Sequence, residues 1–115
     1  MPSFNHRGGD FTLTAGTNSH YVDLSFLAAY KNPRIRAIDA YIVSGTGTCL
    51  LSVALKDNNK DYGVSLINAE AITAPVRGVN WYGDCPCDWA SWLMLYILNG
   101  VASDIARVVM VIEHD

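Results

Sequence analysis

The residues of this 115-residue chain that could carry chemistry fall into a few small groups. Asp57, Asn59 and Asp61 have the alternate spacing of the first three oxygen ligands of a calcium loop. The pattern then fails, because the sharp turn wants glycine where Tyr62 stands and the bidentate glutamate is replaced by Asn68. A polar hairpin turn accounts for the same residues without an ion. Cys85, Pro86 and Cys87 form a close cysteine pair, with Cys49 elsewhere. A zinc site needs about four Cys or His ligands, and His6, His20 and His114 have no paired spacing. Redox work by the pair would need a lowered thiol pKa, whereas Asp84 and Asp88 beside it act in the opposite direction. No serine sits in a Gly-x-Ser-x-Gly elbow and no histidine in a recognisable triad spacing. Asp84 and Asp88 could serve as the paired carboxylates of a glycosidase, but a chain of this length leaves little cleft around them. The residues therefore predict no catalytic group, metal or cofactor.

The one concentration that stands out is aromatic: Trp81, Tyr82, Trp89, Trp92 and Tyr96. A pyranose face packs on a flat ring while carboxylates accept its hydroxyls, so Trp81, Tyr82 and Trp89 with Asp84 or Asp88 could bind a sugar. Alternatively Trp81, Tyr82 and Trp89 fill a protein interface, where aromatics are enriched, while Trp92 and Tyr96 are core. The interface reading is favoured because a sugar site needs only a local patch, whereas the shortage of charge extends along the chain.

That shortage is plain in the composition. Half of the residues are apolar and 17 % are charged, against about a quarter in an ordinary soluble domain. A chain of this size hides only about two-thirds of its unfolded surface in its own core, so an apolar surface must meet something else. The eight bases, Arg7, Lys31, Arg34, Arg36, Lys56, Lys60, Arg77 and Arg107, are scattered, and the net charge is −3. A protein that neutralises several phosphates needs clustered cations, so nucleic acid is not the expected partner. The longest apolar run, residues 92–98, falls well short of the roughly 18 residues of a membrane span, and residues 1–10 carry no apolar segment of a secretory signal. No membrane partner is predicted, and the three cysteines are expected as reduced thiols of a cytosolic product, with a Cys49 bridge to Cys85 or Cys87 as the minority reading.

The elements that must position these residues read as strands punctuated by turns. Residues 1–10 are set apart as an N-terminal arm reaching to a neighbour, and 11–115 as one sandwich domain. Phe11 and Leu13 begin the first strand, and Tyr21, Val22 and Leu24 suit the second. Residues 25–32 form one short helix, capped by Ser25 and ended before Pro33. From Arg34 to Ser44 the alternation is long, with Arg36, Ile38, Ala40, Ile42 and Ser44 on the core side. After Gly45 and Gly47 a second run, Cys49, Leu51, Val53 and Leu55, is read as its antiparallel neighbour. Residues 89–98 could be a capped helix or a strand buried on two sides, and the strand is preferred. Residues 105–112, rich in β-branched side chains, close the domain as a strand. Strands recurring about every ten residues indicate an all-β fold: a single antiparallel sandwich, jelly-roll-like or Greek-key, of about seven or eight strands.

The strand run from Arg34 to Lys56 around Gly45 and Gly47, and the ending of apolar strand, Asn99-Gly100 turn and β-branched strand, resemble small β-sandwich proteins of viral particles. Phage decoration or cement proteins and compact jelly-roll shell domains share this pattern. The resemblance implies a non-enzymatic structural protein of the virion, made in the host cytoplasm, that self-assembles or docks on a capsid as a decoration, cement or fibre component. It brings no signature motif, and the chain lacks the basic arm of genome-packaging coats. The interface residues expected from the aromatic cluster are Trp81, Tyr82, Asp84, Asp88 and Trp89. The alternative function is a lectin-like carbohydrate-binding module, with glycans as partner, using the same residues.

Overall fold

Side chains that alternate between apolar and polar suit strands covered on one face, and this pattern becomes eight strands in a computed structural model that describes residues 3–45, 49–56, 63–71 and 78–115. They are β1 (Ser3–Thr12), β2 (Gly16–Asp23), β3 (Arg34–Ser44), β4 (Leu50–Lys56), β5 (Gly63–Ala71), β6 (Gly78–Pro86), β7 (Trp92–Gly100) and β8 (Ile105–His114). The strands form two antiparallel sheets in the orders β1-β8-β3-β6 and β2-β7-β4-β5. Successive strands lie in different sheets, except β4 and β5, so the described strands build a two-sheet antiparallel sandwich with a jelly-roll-like strand order. Residues 89–98, ambiguous between helix and strand in the sequence, contribute the strand β7. The stretch weighed for calcium, 57–61 with Tyr62, lies outside the described residues.

The sandwich core sits between the two central strands of each sheet. Ile35, Ile38, Ala40 and Ile42 of β3, with Ala106, Val108, Met110 and Ile112 of β8, face Leu51, Val53 and Leu55 of β4 and Leu93, Leu95 and Ile97 of β7. Each fully buried Val, Leu, Ile or Met among them stabilises the fold by about 1.5–3 kcal/mol relative to exposure.

Three expectations need correction. The described part of the expected arm does not stand apart: Ser3–Thr12 pairs in unbroken antiparallel register along β8, from Ser3 opposite His114 to Thr12 opposite Ile105. Polar, glycine-bearing sequence hid this strand because an edge strand gains its hydrogen bonds from the backbone and has few apolar side chains to show. Secondly, β3 and β4 are not partners; β3 lies between β8 and β6, and β4 between β7 and β5. Two successive strands with one apolar face each are equally served by facing each other across the core, and alternation does not distinguish the two. Thirdly, Ile35 joins Ile38 on the core side although their separation is odd. Register shifts against both β6 and β8 between Ile35 and Ala37 insert a bulge there, which reverses the facing of the strand.

The expected short helix is a single 3-10 turn, Ser25–Ala29, with Leu27 buried. Its N-terminus is held by Asp23, not by Ser25: the Asp23 carboxylate accepts from the Ser25 backbone N–H (2.9 Å) and hydroxyl (3.1 Å). The link from β1 to β2 is held from inside by buried Asn18. Its Oδ1 accepts from the Thr14 N–H (2.9 Å) and hydroxyl (3.1 Å), and its Nδ2 donates to the Thr14 and Gly16 carbonyls (2.9 and 3.1 Å).

Candidate interaction surface

β7 is one of the two central strands of the sheet β2-β7-β4-β5 and has two apolar faces. Leu93, Leu95 and Ile97 are buried, while Trp92, Met94, Tyr96 and Leu98 point out of the sandwich and remain partly exposed. The flanking strands extend this outer face with Ser19, Tyr21 and Asp23 of β2, and Leu50, Ser52, Ala54 and Lys56 of β4, since these residues stand opposite the outward positions of β7. Tyr21 is 50 % exposed, and its ring meets Trp92 edge-on at 6.2 Å, framing a depression of about 300 Å3. A second hollow, of about 290 Å3, adjoins Trp92 on the side of the 3-10 turn and is lined by Asp23, Ser25, Asp88 and Ser91 among others. Among the described residues of this face, charge is confined to the end row holding Asp23 and Lys56.

The residues singled out from the sequence are dispersed. Trp81 packs against the core from β6, and its indole lies over Gly83, where a Cβ would come within 2.5 Å of the ring. Tyr82 points the other way and is 73 % exposed. Successive strand residues face opposite sides of the sheet, so these two rings cannot form one platform. Asp84 is engaged by Arg36 Nη1 (3.2 Å) and Arg34 Nε (3.6 Å). Trp89 follows in the turn before β7, its indole N–H donating to the Pro86 carbonyl at 3.0 Å. Asp88 lines the hollow beside Trp92. The aromatic residues read as core, Trp92 and Tyr96, are those on the outer face. The sequence signal was present, a strand apolar on both sides, but which parity faced inward depended on the opposing sheet.

The remaining ionic groups fasten strands together. Arg34 bonds Glu113 and lies 3.9 Å from Asp115, whose other oxygen accepts from Asn32 Nδ2 at 2.8 Å. That hydrogen bond, followed by nearby cations, holds the Asp115 carboxyl below its usual range. At the far end of β8, Arg107 grips both carboxylate oxygens of Asp10 at 2.7 and 2.9 Å, which lowers the Asp10 pKa. The three cysteines are separate thiols; Cys49 and Cys87 are buried and Cys85 half-buried. Burial raises all three pKa values, and that of Cys87 reaches about 12, with Cys85 and Asp88 adding to the effect. Such thiols are poor nucleophiles at neutral pH. Among the described residues no group of three or more His, Cys, Asp or Glu is placed to hold a metal ion, and no helix is long and apolar enough to cross a membrane.

No protein-family model and no curated protein sequence matches the chain. Solved structures do resemble it. SPBc2 prophage-derived protein YomS is 10 % identical, with 96 % of this chain and 95 % of that one covered and a TM-score of 0.55. A chain of the acid-stable capsid of Helicobacter pylori bacteriophage KHP30 is 11 % identical, with 100 % and 94 % covered and a TM-score of 0.52. A Bacillus endospore appendage protein, from a family of disulfide-linked pili, is 13 % identical, with 98 % and 87 % covered and a TM-score of 0.50. At these identities the likeness shows the fold alone and not a shared activity.

Proposed function

We propose that this protein is a non-enzymatic structural component of a virus particle, one that associates with copies of itself or docks on a larger shell as a decoration, cement or fibre element. The observation that carries the reading is the outer face of β2, β7 and β4, where Tyr21, Trp92, Met94, Tyr96, Leu98, Leu50 and Ala54 lie together on a rigid sheet. Contiguous apolar surface of this kind, with tyrosine and tryptophan in it and charge at its margin, marks protein association. The fold likeness to a phage capsid chain and a prophage-derived protein is consistent with that role. Asp88 and Trp89, in the turn leading into β7, would extend the contact at its Trp92 end. Tyr82 and Asp84, on the opposite sheet, would meet a different neighbour. A sugar platform made of Trp81, Tyr82 and Trp89 is disfavoured by the opposite facing of the first two.

The native mass measured by light scattering and sedimentation tests this reading. An oligomer, or a stable complex with a purified shell, is expected. Met94→Lys, which places a charge in the middle of the face, should disperse either one while leaving the melting temperature nearly unchanged. A monomer at all concentrations that binds no shell would sink the proposal.

A further inference from the structure

The registers of β2, β7 and β4 arrange the outer face in rows, and the rows are complementary to themselves. Asp23, Trp92 and Lys56 form one row, Tyr21, Met94 and Ala54 the next, and Ser19, Tyr96 and Ser52 the third. In each row the middle residue belongs to β7, and the two flanking residues are opposites or equivalents: acid and base, large and small, hydroxyl and hydroxyl. Resting on the self-association just proposed, we infer that a second copy of this chain covers the face in a two-fold dimer whose axis runs along β7.

Rotation about that axis turns the second copy over and sets its β4 above the first copy's β2, row for row. Asp23 of each copy then meets Lys56 of the other, Tyr21 covers Ala54, and Ser19 faces Ser52. Trp92, Met94 and Tyr96 lie on the axis against their own counterparts, as residues of an isologous interface must. A two-fold axis across the strands would instead lay the Asp23–Lys56 row over the apolar end at Leu50 and Leu98. That alternative takes two charges out of water without a partner. Aligned sheets pack with their strands about 30° apart, and the length of the Lys56 side chain accommodates this offset at the end row. The three strands that overlap about this axis, β2, β7 and β4, span about 430 Å2 in projection, and two such faces give about 860 Å2, the size of a weak, reversible interface.

Charge reversal, read by sedimentation velocity, tests the arrangement. The wild-type chain should dimerise, and Lys56→Asp should raise the dimer dissociation constant about tenfold or more, because two like pairs then face each other. Asp23→Lys combined with Lys56→Asp should restore the dimer, and an equimolar mixture of the two single variants should form heterodimers. Because Asp23 also holds the Ser25 turn, a second readout avoids its substitution. Facing sheets lie about 10 Å apart, beyond the reach of a disulfide, so Ser19→Cys with Ser52→Cys should instead be joined between copies by a bismaleimide of about 10 Å span, far more than wild type or either single variant. A Lys56→Asp dimer as tight as wild type, or a folded dimer of the double-cysteine variant that does not cross-link, would overturn the axis while leaving self-association standing. A wild-type chain that stays monomeric would overturn both.

Discussion

Replacing Asn18 by alanine should cost far more than a turn substitution normally does. Asn18 is 6 % exposed and makes four hydrogen bonds, two accepted from Thr14 and two donated to the Thr14 and Gly16 carbonyls. At about 1 kcal/mol each, with Thr14 backbone groups left short of partners, the loss is about 3–4 kcal/mol. For a domain of this size that lowers the melting temperature by about 10 °C or more. Asn18→Asp separates the two halves of the effect. It keeps an acceptor toward Thr14 but turns a carboxylate oxygen toward two carbonyls, so burial and repulsion raise the pKa of the new carboxyl above the unfolded value near 3.9. The charged form is then the penalised one. The variant's deficit relative to wild type is full at neutral pH and shrinks as pH falls through the raised value. Gly100→Ala attacks the same network, since its Cβ would lie 2.6 Å from Asn18 Nδ2, and its cost combined with Asn18→Ala should be less than additive. Urea unfolding monitored by tryptophan fluorescence measures all three. A loss below about 1 kcal/mol for Asn18→Ala, or additivity with Gly100→Ala, would refute the view that this side chain holds the β1–β2 connection.

Other consequences are equally open to measurement. His20 stacks on Phe11 at 4.7 Å with its Nε2 buried and lacking a hydrogen-bond partner among the described residues, and burial lowers its pKa below 6.5. The neutral ring is the one that fits, so stability should hold above pH 6.5 and fall as pH drops through and below it. His20→Phe should flatten that pH dependence, and an unchanged profile would show that other groups cause it. Trp81→Ala should lower the melting point markedly while Tyr82→Ala hardly moves it, because only Trp81 packs on the core; equal effects would contradict the opposite facing of the two rings. Iodoacetamide at neutral pH should label Cys85 slowly and spare Cys49 and Cys87 until denaturant is added, as mass spectrometry of quenched samples would reveal. Fast labelling of Cys87 in the folded protein would refute its burial.

Much of the fold was legible in the residues. Strand alternation located the long strands, and Leu93, Leu95 and Ile97 interleaved with Trp92, Met94, Tyr96 and Leu98 announced a strand with two apolar faces. The absence of clustered cations and of paired metal ligands was equally plain, and it directed attention to protein contact. What alternation could not convey was which strands pair, because a face that is apolar satisfies a neighbour in the same sheet and one across the core alike. It also missed β1, whose stability lies in backbone pairing with β8, and the bulge that brings Ile35 inward.

The candidate surface divides in the same way. Sequence alone determined that apolar and aromatic side chains outnumber what one small core can cover, since this follows from composition and the geometry of a small volume. Only the tertiary structure decided which of them stay outside. Wrapping β7 between β2 and β4 with Leu93, Leu95 and Ile97 inward forces Trp92 and Tyr96 outward, and the packing of β6 on β3 turns Trp81 toward the core. A strand has two faces and one core, so the choice between them belongs to the sheet opposite and not to the residues themselves.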